Sequence, residues 1–236
     1  MKRLCSSVFV LVAVVFVATL SANLLFIGPL TAGASGLGTV NTILTIQNNP
    51  TETGCVAWNG SVDVFGPTAC PPGIAGGDEK TGASQTQTRS IAELGLLNAA
   101  SIRLVLNAVE PAADGITLTQ LILRIHDAAS GAVLFSGPLA APVVFPTTNA
   151  GTGTAGFGFA LDAPQAAAAQ VAFSNRANRL SLSAALSDSA AGGNETLYIF
   201  NLPTEPVPAL PRVFLLVLAL GLAAVGYLHL RRPSRA

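Results

Sequence analysis

The chain has 236 residues, of which half are apolar and a tenth are charged, and its formal net charge is zero. This length suits one ordinary domain with extensions at its ends. The charge is unevenly distributed, because residues 35–211 hold all twelve acidic residues but only six of the twelve basic ones. An acidic middle segment with dispersed basic residues excludes nucleic acid as a partner.

Residues 1–34 are predicted to form a secretory signal peptide. Two basic residues at the start precede an apolar run over residues 4–20, which resumes at residues 24–27. Ala32 and Ala34 supply the small side chains that a signal peptidase needs, so cleavage is expected after Ala34. The apolar stretch is long for a signal peptide, and an uncleaved N-terminal anchor is therefore the alternative.

Apolar and polar residues alternate through much of the middle part of the chain. This alternation is typical of antiparallel strands in a sheet that is solvated on one face. We expect Leu121, Leu123 and Ile125 to face the core, and His126, Ser181 and Ser183 to lie on the solvated face. With the turn clusters between them, these runs predict a mainly β fold, an antiparallel β-sandwich spanning residues 35–203. The predicted strands include residues 39–46, 101–109, 118–126, 157–161 and 179–187.

One short helix is predicted within the sandwich, over residues 162–175. Asp162 is a suitable N-cap, Pro164 fits the first turn, and the alanine run that follows has a high helix propensity. We expect this helix to cover one end or one edge of the sandwich.

Two cysteines remain once Cys5 has left with the signal peptide. Cys55 and Cys70 lie in an exported segment without a Cys-x-x-Cys pattern, which predicts a disulfide between them. A pair of reduced thiols is the alternative. Trp58, the single tryptophan, lies in the loop that this disulfide would close. It is either an exposed platform for a glycan or, as we favour, a residue packed over the disulfide.

The stretch GTGTAG at residues 151–156 matches the dinucleotide-binding pattern G-x-G-x-x-G. That pattern binds a cofactor only between a strand and a helix, where the helix N-terminus faces the pyrophosphate. Here a turn-like stretch precedes the glycines, and alternating residues that predict a strand follow Gly156. Gly151, Gly153 and Gly156 are therefore expected to serve a loop between strands, and no cofactor is expected.

Catalytic and metal-binding patterns are weak in this chain. His126 is the single histidine before the C-terminal tail, and its neighbour Asp127 would point to the opposite face of a strand. No G-x-S-x-G pattern accompanies it, so a hydrolase that uses His126 is the weakest alternative. Asp78 and Glu79 suggest a calcium loop without the spacing that would support one. We expect no enzyme activity and no bound metal.

The C-terminal region is predicted to anchor the chain in a membrane. A proline-rich linker over residues 204–212 precedes an apolar run at residues 213–230, which is long enough to cross the hydrocarbon core as a helix. The basic residues in the tail at 231–236 favour a cytoplasmic location for that end. Residues 35–203 would then lie outside the cytoplasm.

This tail resembles the PEP-CTERM family of bacterial sorting signals. The resemblance rests on a proline-bearing motif, one apolar span and a terminal arginine pair; these residues are Val207, Pro208, Ala209, Leu210, Pro211, Arg231 and Arg232. In that family an exosortase, a membrane protease-transpeptidase, is thought to process the tail, and the host bacteria usually make an exopolysaccharide matrix. The usual V-P-E-P is absent, so this tail is a variant.

Residues 80–202 are also similar to a recurring domain of exported proteins with PEP-CTERM tails, to which no activity is attached. The expectation is a non-enzymatic surface or extracellular-matrix protein that is membrane-anchored, either permanently or until it is released or transferred. The alternatives are a carbohydrate-binding module that uses Trp58 and a plain membrane-anchored β-sandwich.

Overall fold

A computed structural model describes residues 23–30, 40–82, 85–109, 115–145, 156–189 and 193–201. By internal contacts the chain divides into two units, Met1–Asn201 and Leu202–Ala236, and all described residues belong to the first. The strands are β1 (Leu24–Leu30), β2 (Thr42–Ile46), β3 (Thr51–Trp58), β4 (Asp63–Phe65), β5 (Arg89–Ser90), β6 (Ile102–Asn107), β7 (Ile116–His126), β8 (Val133–Pro138), β9 (Val143–Phe145), β10 (Gly156–Leu161), β11 (Arg179–Ser187) and β12 (Glu195–Asn201). The α-helix is α1 (Ala163–Gln170).

The strands form two antiparallel sheets. The first sheet has the order β1-β10-β6-β12-β2, and the second has the order β4-β3-β11-β7-β8, with β5 paired to β11 and β9 paired to β7. Apolar side chains from both sheets pack into one main core, which includes Leu44, Leu104, Leu106, Leu121, Leu123, Ile125, Phe159, Leu180, Leu182 and Leu197. The predicted class, a mainly β antiparallel sandwich, is confirmed.

The inner faces of the central strands follow the predicted alternation. On β7, Leu121, Leu123 and Ile125 are fully buried, and on β11 the same holds for Leu180 and Leu182. These two strands pair antiparallel over most of their length, so the leucines of each lie side by side on the core face. Burying one such side chain stabilises the fold by roughly 1.5–3 kcal/mol, so the leucines and isoleucines of these two strands contribute substantially to stability.

The outer face of β11 differs from the expectation. Ser181 and Ser183 were predicted on a solvated face, but they are 0 % and 1 % exposed. The segment after β3 crosses this face and buries a second group of apolar residues, here called the outer cluster. The outer cluster consists of Cys55, Ala57, Ala69, Ile74 and Ala185, with Val64, Cys70 and Ile122 packed against them. The prediction failed because period-two alternation reports polarity and does not report what a distant segment covers.

The helix begins as predicted and ends earlier. Asp162 is its N-cap, and its carboxylate accepts the Gln165 backbone N–H at 2.8 Å. The helix stops at Gln170, and Val171–Ser174 continues as a 3₁₀ turn. Buried Ala166 and Ala169 face the protein, so the alanine run gives both propensity and a flat packing surface.

Two strands lie where the sequence predicted something else. β3 (Thr51–Trp58) begins inside residues 48–54, NNPTETG, whose Asn, Pro and Gly content is typical of one of the turn clusters between predicted strands. β1 (Leu24–Leu30) lies inside the predicted signal peptide, yet it forms the edge of the first sheet and pairs with β10.

Several predicted segments lie outside the described residues. They are the start of the signal peptide, Ala32 and Ala34, the loop glycines Gly151 and Gly153, the linker at 204–212, the membrane span at 213–230 and the tail at 231–236. Within the described part of the chain, no helix has the length and apolar character needed to cross a membrane. Gly156 is the first residue of β10, so the glycine stretch leads into a strand, as predicted.

Candidate functional site

Trp58 lies at the end of β3, opposite Asp63 on β4. The indole is half-buried, and its Nε1–H donates to the Ala128 carbonyl at 2.8 Å. The Arg179 guanidinium lies 4.5 Å from the ring centroid, in cation–π contact with one face of the ring. This face is therefore not open to a sugar. The outer cluster contains Ala57 instead of Trp58, so the favoured expectation that Trp58 packs over the disulfide is also not met.

Arg179 is held over Trp58 by a short chain of hydrogen bonds. Its guanidinium donates to the hydroxyl and to the carbonyl oxygen of Thr88, both at 2.6 Å. The Thr88 hydroxyl in turn donates to an Asp63 carboxylate oxygen at 2.5 Å. The negative end of this chain lies on β4 and the positive end on β11. The arrangement fixes the position of the arginine over the tryptophan and connects β4 to β11 through Thr88, the residue before β5.

His126 is buried, which corrects the prediction that it faces solvent. It is 2 % exposed, and it lies on the predicted outer face of β7 beneath the covering segments. Its Nδ1 lies 3.0 Å from the Gly131 carbonyl, so this nitrogen carries the proton and donates. Its Nε2 lies 2.8 Å from the Ser181 hydroxyl and accepts from it. Burial lowers the pKa of His126, with Arg124 acting in the same direction and the Gly131 bond opposing it. The ring is neutral at physiological pH.

The pair of His126 and Ser181 has the spacing of a base and a nucleophile, but Ser181 is 0 % exposed. A substrate carbonyl cannot reach the hydroxyl without opening the outer face of the second sheet. Asp127 does not orient the imidazole, since its carboxylate accepts the backbone N–H groups of Ala129 and Ser130 in the following turn. The hydrogen bonds that the Ser130 backbone and side chain donate to this carboxylate hold the pKa of Asp127 below its usual value. The arrangement is that of a satisfied structural histidine.

The Cys55–Cys70 disulfide is present, with the two Cα atoms 5.3 Å apart. It joins β3 to the segment that covers the outer face of the second sheet. Gly76 of that segment has φ 72°, and a Cβ there would lie 2.6 Å from the Cys70 sulfur, so glycine is required at this close approach.

Asp78 and Glu79, the proposed calcium ligands, bind backbone amides. One Glu79 oxygen accepts the Cys55 N–H at 2.6 Å, and the other accepts the Gly77 N–H at 3.0 Å. Asp78 accepts the Thr53 N–H at 2.7 Å. Carboxylate oxygens that point at N–H donors are poorly placed to share a cation. Cys55, Cys70 and Glu79 lie within 4.8 Å of one another, but both sulfurs belong to the disulfide, so this group is not a ligand set.

Sequence reasoning missed a pair of buried carboxyl groups. Glu52 on β3 and Glu195 on β12 are 1 % and 0 % exposed, and their side chains hydrogen-bond to each other. Glu52 Oε1 also accepts the Asn48 N–H at 3.2 Å, and Glu195 Oε1 accepts the Val109 N–H at 3.3 Å. Two carboxyls can hydrogen-bond only when they hold a proton between them. Burial, more than any neighbour, raises the pKa of Glu52. No local pattern joins two residues this far apart in sequence.

A shallow cavity of about 160 Å³ lies between β7 and the segment after β8. Its walls are mainly apolar, with Leu121, Ile122 and Pro138 among them. Ligand sites for small molecules usually measure roughly 300–1,000 Å³, so this cavity is too small for a typical organic ligand. Comparison of the chain with protein-family models, with curated proteins and with solved structures finds no match.

Proposed function

We propose that this protein is a non-enzymatic surface or extracellular-matrix protein, exported by its N-terminal leader and carrying a C-terminal sorting signal of the exosortase type. The observation that carries the proposal is the disulfide between Cys55 and Cys70, which closes the cover of the outer cluster. Disulfides form and persist in oxidising compartments outside the cytoplasm. The leader, the apolar span at 213–230 and the arginines at 231 and 232 agree with that address.

The buried state of His126 supports a role other than hydrolysis. Both ring nitrogens are engaged, and the Ser181 hydroxyl beside it is shielded from solvent. We therefore propose that the folded domain acts through its surface and through its attachment to the membrane or the cell surface. Variation of His126 is expected to change stability and to leave any binding at the surface unchanged.

Thiol labelling of the full chain in a Gram-negative host tests the export. The mature protein is expected in the periplasmic or membrane fraction, with Cys55 and Cys70 both protected from alkylation until a reductant is added. A matched chain without residues 1–22 stays in the cytoplasm, where both thiols are expected to react. Reactive thiols in exported, unreduced protein would contradict the proposal.

Co-expression with an exosortase tests the sorting signal. We expect a shorter product cut within residues 205–212, and retention of the full chain in a host without the enzyme. Replacing Arg231 and Arg232 by glutamine removes two of the three positive charges of the tail and is expected to reduce processing. A mature protein that keeps residues 231–236 in its native host would favour a plain membrane anchor.

Carbohydrate binding through Trp58 is the second candidate. One observation favours it: the indole is only half-buried, and the next residue in the chain, Asn59, is exposed. Against it stand the bonded indole N–H and the Arg179 that covers one ring face. Glycan-array binding by the detergent-solubilised full chain, lost in Trp58→Ala while the melting temperature shows a folded protein, would support this candidate. An array without signal leaves the first proposal.

A further inference from the structure

The N-terminal strand β1 pairs with β10 along its length and contacts the segment after β8 at Leu24. Its backbone pairs with β10 from Leu24 opposite Leu161 to Leu30 opposite Gly156, with a bulge between Phe26 and Gly28. A strand that occupies the edge of a sheet in this way satisfies the backbone groups of its neighbour, which solvent or another chain must satisfy when the strand is absent.

The first residues of β1 are fixed most firmly. The Asn23 N–H donates to the Asp162 carboxylate at 2.8 Å, and the Asp162 N–H donates back to the Asn23 carbonyl at 3.3 Å. On the other side, the Ala140 N–H donates to the Leu24 carbonyl at 3.0 Å. The same Asp162 carboxylate caps α1 through Gln165, so the start of β1 and the start of the helix share one anchor.

The side chains of β1 also enter the apolar packing. Leu24 is 0 % exposed and belongs to the main core. The Phe26 ring packs against Phe145 and Phe159 with ring centroids 5.6 and 5.5 Å apart, and Phe145 stacks on Phe157 at 3.9 Å. Cleavage after Ala34 would remove this strand, open a hole where Leu24 lies and uncover the aromatic rings.

The apolar residues at 24–27 therefore have a role of their own in the fold. The apolar run at residues 4–20 is by itself long enough for a signal peptide, and it is followed by small residues. Thr19 and Ser21 provide small side chains at the third and first positions before a cut after Ser21.

We propose that the leader is cleaved after Ser21, upstream of Asn23, and that Leu24–Leu30 remains in the mature protein as the edge strand of its first sheet. This inference rests on the proposed export of the chain. The recognising partner is a signal peptidase that accepts small side chains. The small residues Ala32 and Ala34 then lie inside the mature protein and are not a processing site.

The test is the N-terminus of the exported full chain, determined by mass spectrometry of the N-terminal peptide. The expected mature protein begins at Ala22. A mature N-terminus at Ser35 overturns the inference while leaving export intact, and an exported protein that still begins at Met1 overturns it as an uncleaved anchor. A chain that stays in the cytoplasm overturns the proposed export itself, and with it this inference.

Two matched pairs of variants sharpen the result. Arginine at both positions 19 and 21 (Thr19→Arg with Ser21→Arg) is expected to block cleavage and to accumulate precursor. The same change at the downstream site (Ala32→Arg with Ala34→Arg) is expected to leave maturation unchanged. Accumulation of precursor by the second pair alone would overturn the inference.

In the second comparison, Leu24→Ala is expected to lower the melting temperature of the mature protein by about 5 to 15 °C. Leu25→Ala, at a position that is 44 % exposed, is expected to change it by less than about 2 °C. Equal melting temperatures for Leu24→Ala and the parent would mean that the strand is absent from the mature protein.

Discussion

The two faces of the second sheet bury their side chains by different means. The inner face contributes an almost continuous row of leucines and isoleucines to the main core. The outer face carries Ser181, Ser183 and His126, and its cover is held by a disulfide and by polar bonds around a few small apolar residues. Burial of apolar area stabilises the first, whereas a covalent closure and satisfied polar groups stabilise the second. The two faces are therefore buried to a similar degree, but their stability should respond differently to mutation, redox state and pH.

A cavity in the main core is expected to have the largest effect. Leu123→Ala removes a fully buried side chain from the centre of β7 and should lower the free energy of unfolding by about 3–5 kcal/mol. Urea denaturation of the oxidised protein measures it. Leu97→Ala, at a position that is 75 % exposed, is the control and should have an effect below about 0.5 kcal/mol. Similar losses for both variants would contradict the assigned core.

Opening the disulfide is expected to destabilise the outer face selectively. The cysteines are 15 residues apart, for which chain entropy gives about 3 kcal/mol. Replacing both by serine should therefore lower stability by about that amount and should accelerate amide exchange in the segment after β3. Exchange in the inner-facing part of β7 should change only with global stability. Uniform acceleration, with no excess in the covering segment, would refute the separation of the two faces.

The buried pair of Glu52 and Glu195 should make stability depend on pH. Because the folded pKa of Glu52 is raised above 4.5, the folded state holds more protons than the unfolded one above that pH. The contribution of this pair to stability is therefore fully present below pH 4.5, and it is lost as the pH rises through the folded pKa of Glu52. Nearby Asp78 strengthens the rise, while Lys80 opposes it.

Glu52→Gln replaces the shared proton by an amide N–H and should stabilise the protein at neutral pH by roughly 1–2 kcal/mol. It should also flatten the fall of the melting temperature with pH. Glu93→Gln is the opposite control, because its carboxylate accepts the Ser90 N–H at 2.6 Å and the pKa of Glu93 is lowered. Loss of stability at neutral pH in Glu52→Gln would show that the pair does not share a proton.

The smallest effect is expected at Trp58. Trp58→Phe keeps an aromatic ring under Arg179 but loses the indole bond to Ala128, which contributes about 1 kcal/mol. Thermal unfolding measures this loss. Arg179→Lys instead removes the two hydrogen bonds from the guanidinium to Thr88. The resulting loss of stability should be comparable to that of Trp58→Phe or larger, since two bonds are broken. No change in either variant would contradict the chain of contacts from β4 to β11.

Sequence patterns correctly predicted the features that depend on residues close to one another in the chain. The inner leucines of β7 and β11, the N-cap Asp162 and the strand after Gly156 were predictable, because strand periodicity, helix capping and turn residues act over a few positions. His126 was assigned to the correct face of β7 and to the wrong environment. Its burial depends on the segments that cover that face, which no periodicity in β7 encodes. Glu52 and Glu195 meet across the sandwich and leave no trace in either local sequence.

The sequence by itself predicted the antiparallel β class, the start of the helix and, over the alternative of two reduced thiols, the pairing of Cys55 with Cys70. Strand alternation, capping chemistry and the presence of only two cysteines after the leader are the local signals behind these predictions. Only the tertiary structure decided the environment of Ser181 and His126, the carboxyl pair and the inclusion of Leu24–Leu30 in the first sheet. By composition alone, an apolar segment such as LLFI is equally suitable for a leader and for an edge strand. The hydrogen bonds to β10, Ala140 and Asp162 distinguish the two, and they exist only once distant parts of the chain have come together.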